Sequence, residues 1–217
     1  MTIAAIIPAY NESAHIASVV QKAKQYVSLT IVVDDGSADH TGKLAQEQGA
    51  IVVQHKVNLG KGAALKTGCD YALLQGASTL IVLDADGQHD PAEIPAFLQA
   101  LHNHDLVFSY RDGRESMPLI LQFGNRFINL TSTLLFSISI KDTQCGYRAF
   151  TAESYRKIRW AATDYFMESE MIIRAGKHKL HCTEVPIKTI YSDNYKGTTV
   201  VDGLKIVAKM LTWKVFR

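Results

Sequence analysis

Short apolar runs alternate with longer amphipathic stretches through the first half of the chain. Ile3–Ile7, Thr30–Val33, Ile51–Gln54, Thr79–Leu83 and Leu106–Ser109 are apolar on both faces, the pattern of strands covered from both sides. Between them, Ser13–Val27, Thr41–Gln48, Gly62–Leu74 and Pro91–Leu101 carry apolar residues at helical spacing. This alternation predicts an α/β fold: a mostly parallel sheet with helices on both faces. One boundary is spelled out in "DPAE", where Asp90 suits a helix N-cap, Pro91 the first helical position and Glu93 the first turn.

After Tyr110 the pattern changes. Met117–Ile140 is long, apolar and lightly charged, with Arg126 inside it. Helical segments are predicted at Ala152–Ile158 and Phe166–Ala175, then a strand at His181–Pro186. Residues 201–217 read as a basic amphipathic helix. No linker, repeat or low-complexity tract interrupts residues 1–200, which are read as one domain with halves 1–110 and 111–200.

Composition adds limits. Of the 217 residues, 47 % are apolar and 20 % charged, as in soluble proteins with a full core. No apolar run reaches the ~18 residues of a spanning helix. The opening "MTIAAIIPAYNES" lacks the basic n-region of a signal peptide. Cys69, Cys145 and Cys182 are odd in number and without CxxC spacing, so they read as small core residues in a reduced, cytoplasmic protein. Net charge is +2, but residues 1–110 hold 6 Lys against 11 acids, a balance of −5. Residues 111–217 hold 17 Lys plus Arg against 10 acids, a balance of +7. The split fits either an acidic site in the first half and an anion-facing surface in the second, or chance placement of solvated charge. No nucleic acid partner is expected.

Ligands of open α/β sheets bind beyond the carboxyl ends of the strands. Those ends read "PAYNE" (Pro8–Glu12), "DDGS" (Asp34–Ser37), "NLGKG" (Asn58–Gly62) and "DADGQHD" (Asp84–Asp90). Singly each is a turn; four on one edge point to a site. It is not a Walker loop, because Gly62 follows Lys61 where Ser or Thr is needed, and "PAYNES" lacks the glycines of a dinucleotide fingerprint. Asp84 and Asp86, about 7 Å apart on one strand face, would repel by about 2.4 kcal/mol at an effective dielectric of about 20. Mg²⁺ or Mn²⁺ between Asp86 and a nucleotide diphosphate would offset that repulsion, with Gln88 as a neutral oxygen ligand and Asp84 reaching the ribose or a metal-bound water.

"PAYNE", "VVDDGS", "NLGKGAALKTG", "DADGQHDP" and "DTQCGYRAF" together resemble a family 2 glycosyltransferase of the GT-A fold, most similar to the dolichyl- or polyprenyl-phosphate sugar transferases. The resemblance implies that Pro8, Tyr10, Glu12, Val33 and Asp35 cradle the base and ribose of a nucleotide-sugar of the GDP-mannose or UDP-glucose type. It implies a metal and diphosphate motif in Asp84, Ala85, Asp86 and Gln88, and a phosphate-binding Arg111. Asp142 and Arg148 correspond to an acceptor-side motif. Lys196 corresponds to a late basic residue, although "NYKGTT" departs from the usual Ser-Lys or Ser-His form.

Asp86, Asp142, Arg111 and Arg148 are thus the catalytic candidates, and Arg126, Arg148 and Lys196 the acceptor candidates. The implied reaction is a single inverting transfer of a hexose to polyprenyl phosphate at the inner face of a membrane. A phosphate monoester is mostly dianionic at neutral pH and needs no general base. A sugar-hydroxyl acceptor would need one, and Asp142 is then the candidate. A non-catalytic nucleotide-sugar-binding domain is a third reading, which the intact acidic pair disfavours. The basic tail, with Leu204, Val207, Leu211, Trp213 and Phe216 beside Lys205, Lys209, Lys214 and Arg217, suits an anionic membrane surface, core packing or a seam with a second copy or a membrane partner subunit. Lys61 fits either a phosphate contact or a simple helix start. Glu168 and Glu170 fit either a surface ion pair or the orientation of an arginine.

Overall fold

A computed structural model describes residues 2–111 and 140–188. The strands are β1 (Ile3–Ala9), β2 (Leu29–Asp34), β3 (Ile51–Gln54), β4 (Thr79–Val82), β5 (Leu106–Arg111), β6 (Arg148–Thr151) and β7 (Cys182–Ile187). The helices are α1 (Ile16–Ala23), α2 (Thr41–Glu47), α3 (Lys61–Leu74), α4 (Ile94–Leu101), α5 (Ala152–Ile158) and α6 (Phe166–Lys177). The strands form one sheet in the order β3-β2-β1-β4-β6-β5-β7. Pairing is parallel except where β6 runs antiparallel to both β4 and β5. The fold is the expected α/β arrangement with a mostly parallel sheet.

Both sheet faces are covered, which is why the strands read as unbroken apolar runs. One core gathers Ile6, Val33, Leu80, Phe108 and Phe150 under α3, α5 and α6. The other gathers Ile7, Val32, Ile81, Val107 and Ala149 under α1, α2 and α4. Helix α3 lies close to the sheet at Gly68, where a Cβ would come within 2.5 Å of Ile6 Cγ2. Cys69 and Cys145 are buried core residues, and half-buried Cys182 packs against the first core.

Two differences from the sequence reading have physical causes. Strand β6 is not separable from α5 by pattern: "RAFT" is four residues long and runs directly into "AESYRKI". Helix α1 is shorter than Ser13–Val27 because its leading residues serve a loop. Asn11 sits at φ 54, and the N–H groups of Glu12 and Ser13 donate to Thr41 Oγ1 and Asp39 Oδ2. Asp90 caps as expected, accepting from Ala92 N, with Pro91 opening a 3₁₀ turn ahead of α4. Among the described residues, no helix is long and apolar enough to cross a membrane. Arg126, Lys196, the segment 117–139 and the tail 201–217 lie outside the described residues.

Candidate active site

The carboxyl ends of β1, β2 and β4 meet the start of α3 and the turn before α6 around a cavity of about 530 Å³. It lies where the strand order reverses between β2-β1 and β4, the usual ligand crevice of such sheets. Pro8, Tyr10, Glu12, Asp35, Asp84, Ala85 and Asp86 all line it, as do Lys61 and Tyr165. Val33 does not; its side chain is fully buried in the core.

The β1 and β2 loops are stitched together by side chains that satisfy backbone donors. Asn11 N donates to Ser37 Oγ at 2.9 Å, and Ala38 N donates to Asn11 Oδ1 at 2.9 Å. Asp34 Oδ1 accepts from Ser37 N at 2.9 Å. Slight burial opposes ionisation of Asp39, but donors from Thr41 and Ser13 outweigh it and hold the carboxyl at about 2. Asp35 accepts from Leu59 N at 2.9 Å and Gly60 N at 2.8 Å, folding the "NLG" segment over the end of β2. Gly60 has φ +95, and any side chain there would run into the Thr163 carbonyl.

The acids of "DADGQHD" have different fates. Asp84 Oδ1 pairs with Lys61 Nζ at 2.7 Å, and the same ammonium meets Glu168 Oε1 at 3.0 Å from α6. Burial opposes charge on all three groups. The two carboxylates nonetheless overcome it to raise Lys61, and Lys61 with His89 overcomes it to lower Asp84. At Glu168 burial prevails over Lys61 and Arg148, and the carboxyl is pushed up. Lys61 thus belongs chiefly to Asp84. Asp86 is different. Its Oδ1 accepts from Gln88 N at 3.0 Å across Gly87 at φ +77, and among the described residues no cation pairs with it. Gln88 joins through its backbone and does not line the cavity.

The remaining candidates lie behind this wall. Arg111 grips Asp142 with two bonds, Nε at 2.7 Å and Nη2 at 3.2 Å, and Asp142 Oδ1 also accepts from Gln144 N. Arg148 is 1 % exposed. Its guanidinium donates to the carbonyls of Cys145, Glu168 and Thr143 and lies over the Phe108 ring. Burial lowers its proton affinity beyond what Glu168 restores. Neither Arg111, Asp142 nor Arg148 lines the cavity.

Among the site groups, His89 had no signal in the sequence. His89 accepts from Asp84 N at 3.2 Å through Nδ1, and burial pushes its proton affinity down. Glu168 and Glu170 are both 2 % exposed, so neither makes a surface pair. Glu170 binds Arg174 and the N–H groups of Ala161 and Ala162. Lys61, set between two glycines in "GKG", and the two acids of α6 could be suspected from sequence.

Among the described residues, no three His, Cys, Asp or Glu side chains form a cage for a metal. Mg²⁺ and Mn²⁺ sites completed by substrate phosphates need one or two protein carboxylates. Asp86 fits as that carboxylate.

A family model described as Glycosyl transferase family 2 matches residues 4–159. The UDP-N-acetylglucosamine–dolichyl-phosphate N-acetylglucosaminyltransferase of Methanococcus voltae is 34 % identical, over 97 % of this chain and 95 % of its own. The polyprenol monophosphomannose synthase of Mycolicibacterium smegmatis is 31 % identical, over 97 % of this chain and 86 % of its own. The solved structure of glucosyl-3-phosphoglycerate synthase from Mycobacterium tuberculosis, in complex with Mn²⁺, UDP and phosphoglyceric acid, matches with a TM-score of 0.79 at 20 % identity. That match covers 98 % of this chain and 78 % of that one, and the shared fold is GT-A. With strand-end loops, acidic pair and sheet order all in agreement, this chain belongs to glycosyl transferase family 2 and is a glycosyltransferase.

Proposed function

We propose that the enzyme moves a hexose from a nucleoside-diphosphate sugar to a polyprenyl phosphate. The observation that carries the donor half is the unequal treatment of two neighbouring acids. Lys61 offsets the charge of Asp84, whereas Asp86 stands on the cavity wall with no cation of the described residues beside it. A divalent cation arriving with a diphosphate supplies that missing charge.

Asp86 would hold Mg²⁺ or Mn²⁺, with Asp84 beside it and Gln88 steadying Asp86 through its backbone N–H. The ion would stabilise the negative charge on the departing diphosphate. Pro8, Tyr10, Glu12 and Asp35 would bind the nucleoside, and the apolar parts of that wall would exclude water from the anomeric carbon.

The acceptor half rests on the names of the two relatives and on the state of Asp142. Its carboxylate is engaged by Arg111 and Gln144, is 4 % exposed and does not line the cavity, a poor placement for a base acting on a hydroxyl there. A phosphate dianion needs no proton acceptor, and a single inverting displacement suffices. In this reading Arg111, with Arg126 and Lys196 from the basic half, serves the acceptor phosphate, while Arg148 holds the buried layer behind the site. Lys205, Lys209 and Lys214 hold the enzyme against the inner face of the membrane.

The test is a panel of labelled nucleotide-sugars offered with polyprenyl phosphate in liposomes, with a short soluble prenyl phosphate, and with free glycans. One donor should label both lipid phosphates, chelator should stop the reaction, and Mg²⁺ or Mn²⁺ should restore it. Transfer to glycan hydroxyls without transfer to either lipid phosphate would overturn the acceptor assignment.

A further inference from the structure

We propose that His55 is a positioning residue for the nucleotide pocket, fixing the Asp35 carboxylate so that it keeps one acceptor site for the donor's base. The proposal rests on the nucleotide reading above.

Asp35 is 3 % exposed and lines the cavity. Its Oδ1 faces His55 Nδ1 at 2.6 Å and accepts from Leu59 N at 2.9 Å, while Oδ2 accepts from Gly60 N at 2.8 Å. A carboxylate offers about four acceptor sites, so these three contacts leave about one, on Oδ2. Which way it points depends on what stops the carboxylate from turning. Two of the three donors belong to a loop that Asp35 itself holds in place. His55 is anchored independently: its backbone N–H donates to Asp34 O at 2.9 Å, and its Nε2 lies 3.0 Å from Thr67 Oγ1 on α3.

A neutral imidazole with its proton on Nδ1 satisfies both ends, donating to Asp35 and accepting from the Thr67 hydroxyl. The ring therefore ties the end of β2 to α3. The order Asp35–His55–Thr67 is not a nucleophile relay, because the hydroxyl lies at the far end and neither His55 nor Thr67 lines the cavity. What the ring controls is the direction of Asp35, and through Leu59 and Gly60 the position of the cavity wall.

The experiment compares His55→Leu, His55→Asn, Thr67→Val and Asp35→Ala. UDP, GDP, ADP and CDP are titrated calorimetrically with Mg²⁺ present, and kcat and KM are measured with the full donor. His55→Leu should weaken the tightest nucleoside diphosphate by about tenfold or more, the scale of a hydrogen bond to a charged acceptor. It should narrow the affinity ratio between the best and worst nucleotides and raise KM more than it lowers kcat. His55→Asn, which places an N–H donor near the position of Nδ1, should recover most of the loss. Thr67→Val should give a smaller loss of the same kind. If Asp35→Ala binds all four nucleotides normally, the nucleotide reading of this edge fails. If Asp35→Ala loses binding and His55→Leu does not, the His55 proposal alone fails. Equal loss for all nucleotides in His55→Leu, unrelieved in His55→Asn, would assign His55 a purely structural role and also overturn it.

Discussion

The loops at the ends of β1, β2 and β4 and the layer between β6 and α6 both concentrate charge, but they neutralise it by opposite means. In the loops, Asp34, Asp35, Asp39 and Asp86 accept from backbone N–H groups, with hydroxyl or imidazole donors added at Asp39 and Asp35. These donors orient a carboxylate without cancelling its charge. In the second region, Arg148, Glu168, Glu170 and Asp142 are between 1 % and 4 % exposed and meet ions or whole sets of carbonyls. The first region keeps net negative charge and spare acceptor capacity, which suits a cation and a nucleotide. The second closes on itself, which suits a scaffold. Lys61 joins the two regions, paired to Asp84 on one side and Glu168 on the other.

The largest effect that tests this contrast is expected at Arg148. Removing it strands the carbonyls of Thr143, Cys145 and Glu168 and leaves the Glu168 carboxyl with Lys61 as its remaining cation. Loss of one partner from a buried ionic set costs about 3–5 kcal/mol, so Arg148→Ala should lower unfolding stability by that amount in a denaturant titration. Arg148→Lys should not restore it, because one ammonium cannot reproduce a planar fork of five donors. A stable Arg148→Ala protein that had lost transfer would return Arg148 to the acceptor phosphate, as the sequence pattern implies, and erase the contrast.

Asp86 should behave in the reverse way. Its one bond to the described protein is from Gln88 N, so Asp86→Ala should change stability by no more than about 0.5 kcal/mol. Transfer should fall by about 10²–10³-fold, the usual cost of losing one preorganised electrostatic group at a reacting centre. Chelation of the wild-type enzyme should match it. Full activity in excess chelator would remove the cation from the reaction and leave the unbalanced charge of Asp86 without a purpose.

The loop region was legible in the sequence and the buried layer was not, for a physical reason. Glycines, prolines and acids that follow an apolar strand can be read locally, because the strand end and the turn are the same few residues. "PAYNE", Asp35 of "DDGS" and Asp84–Asp86 of "DADGQHD" therefore fell on one cavity wall. The Lys61–Glu168 contact joins residues 107 apart in sequence, and no local pattern records that. Glu170 and Arg174, four positions apart on a helix, look like a solvated surface pair, since burial depends on what α6 packs against. Arg148 shows the same limit. The motif marked the residue, but its turn toward Thr143, Cys145 and Glu168 instead of the cavity is a property of the packed layer.

The smallest predicted effect separates the two regions by the sign of a pH slope. Asp39, held at about 2 by Thr41 and Ser13, contributes stability that is present above its ordinary value of 3.8 and lost as pH falls toward 2. The stability of wild type minus that of Asp39→Asn should therefore rise between pH 2 and pH 4. The gain should stay under about 1 kcal/mol, because the group is exposed and well screened. Glu168 is pushed above its ordinary 4.5 by burial, so its contribution is present below 4.5 and is lost as pH climbs through the raised value. Wild type minus Glu168→Gln should accordingly fall as pH rises above 4.5, a slope of the opposite sign. Both differences come from chemical unfolding in a buffer series, with the amide replacement preserving shape and an acceptor oxygen in each case. A rising slope at Glu168 would mean that Lys61 and Arg148 hold its charge as firmly as the loop donors hold Asp39. The buried layer would then differ from the loops in position only, and not in how its carboxylates are paid for by their surroundings.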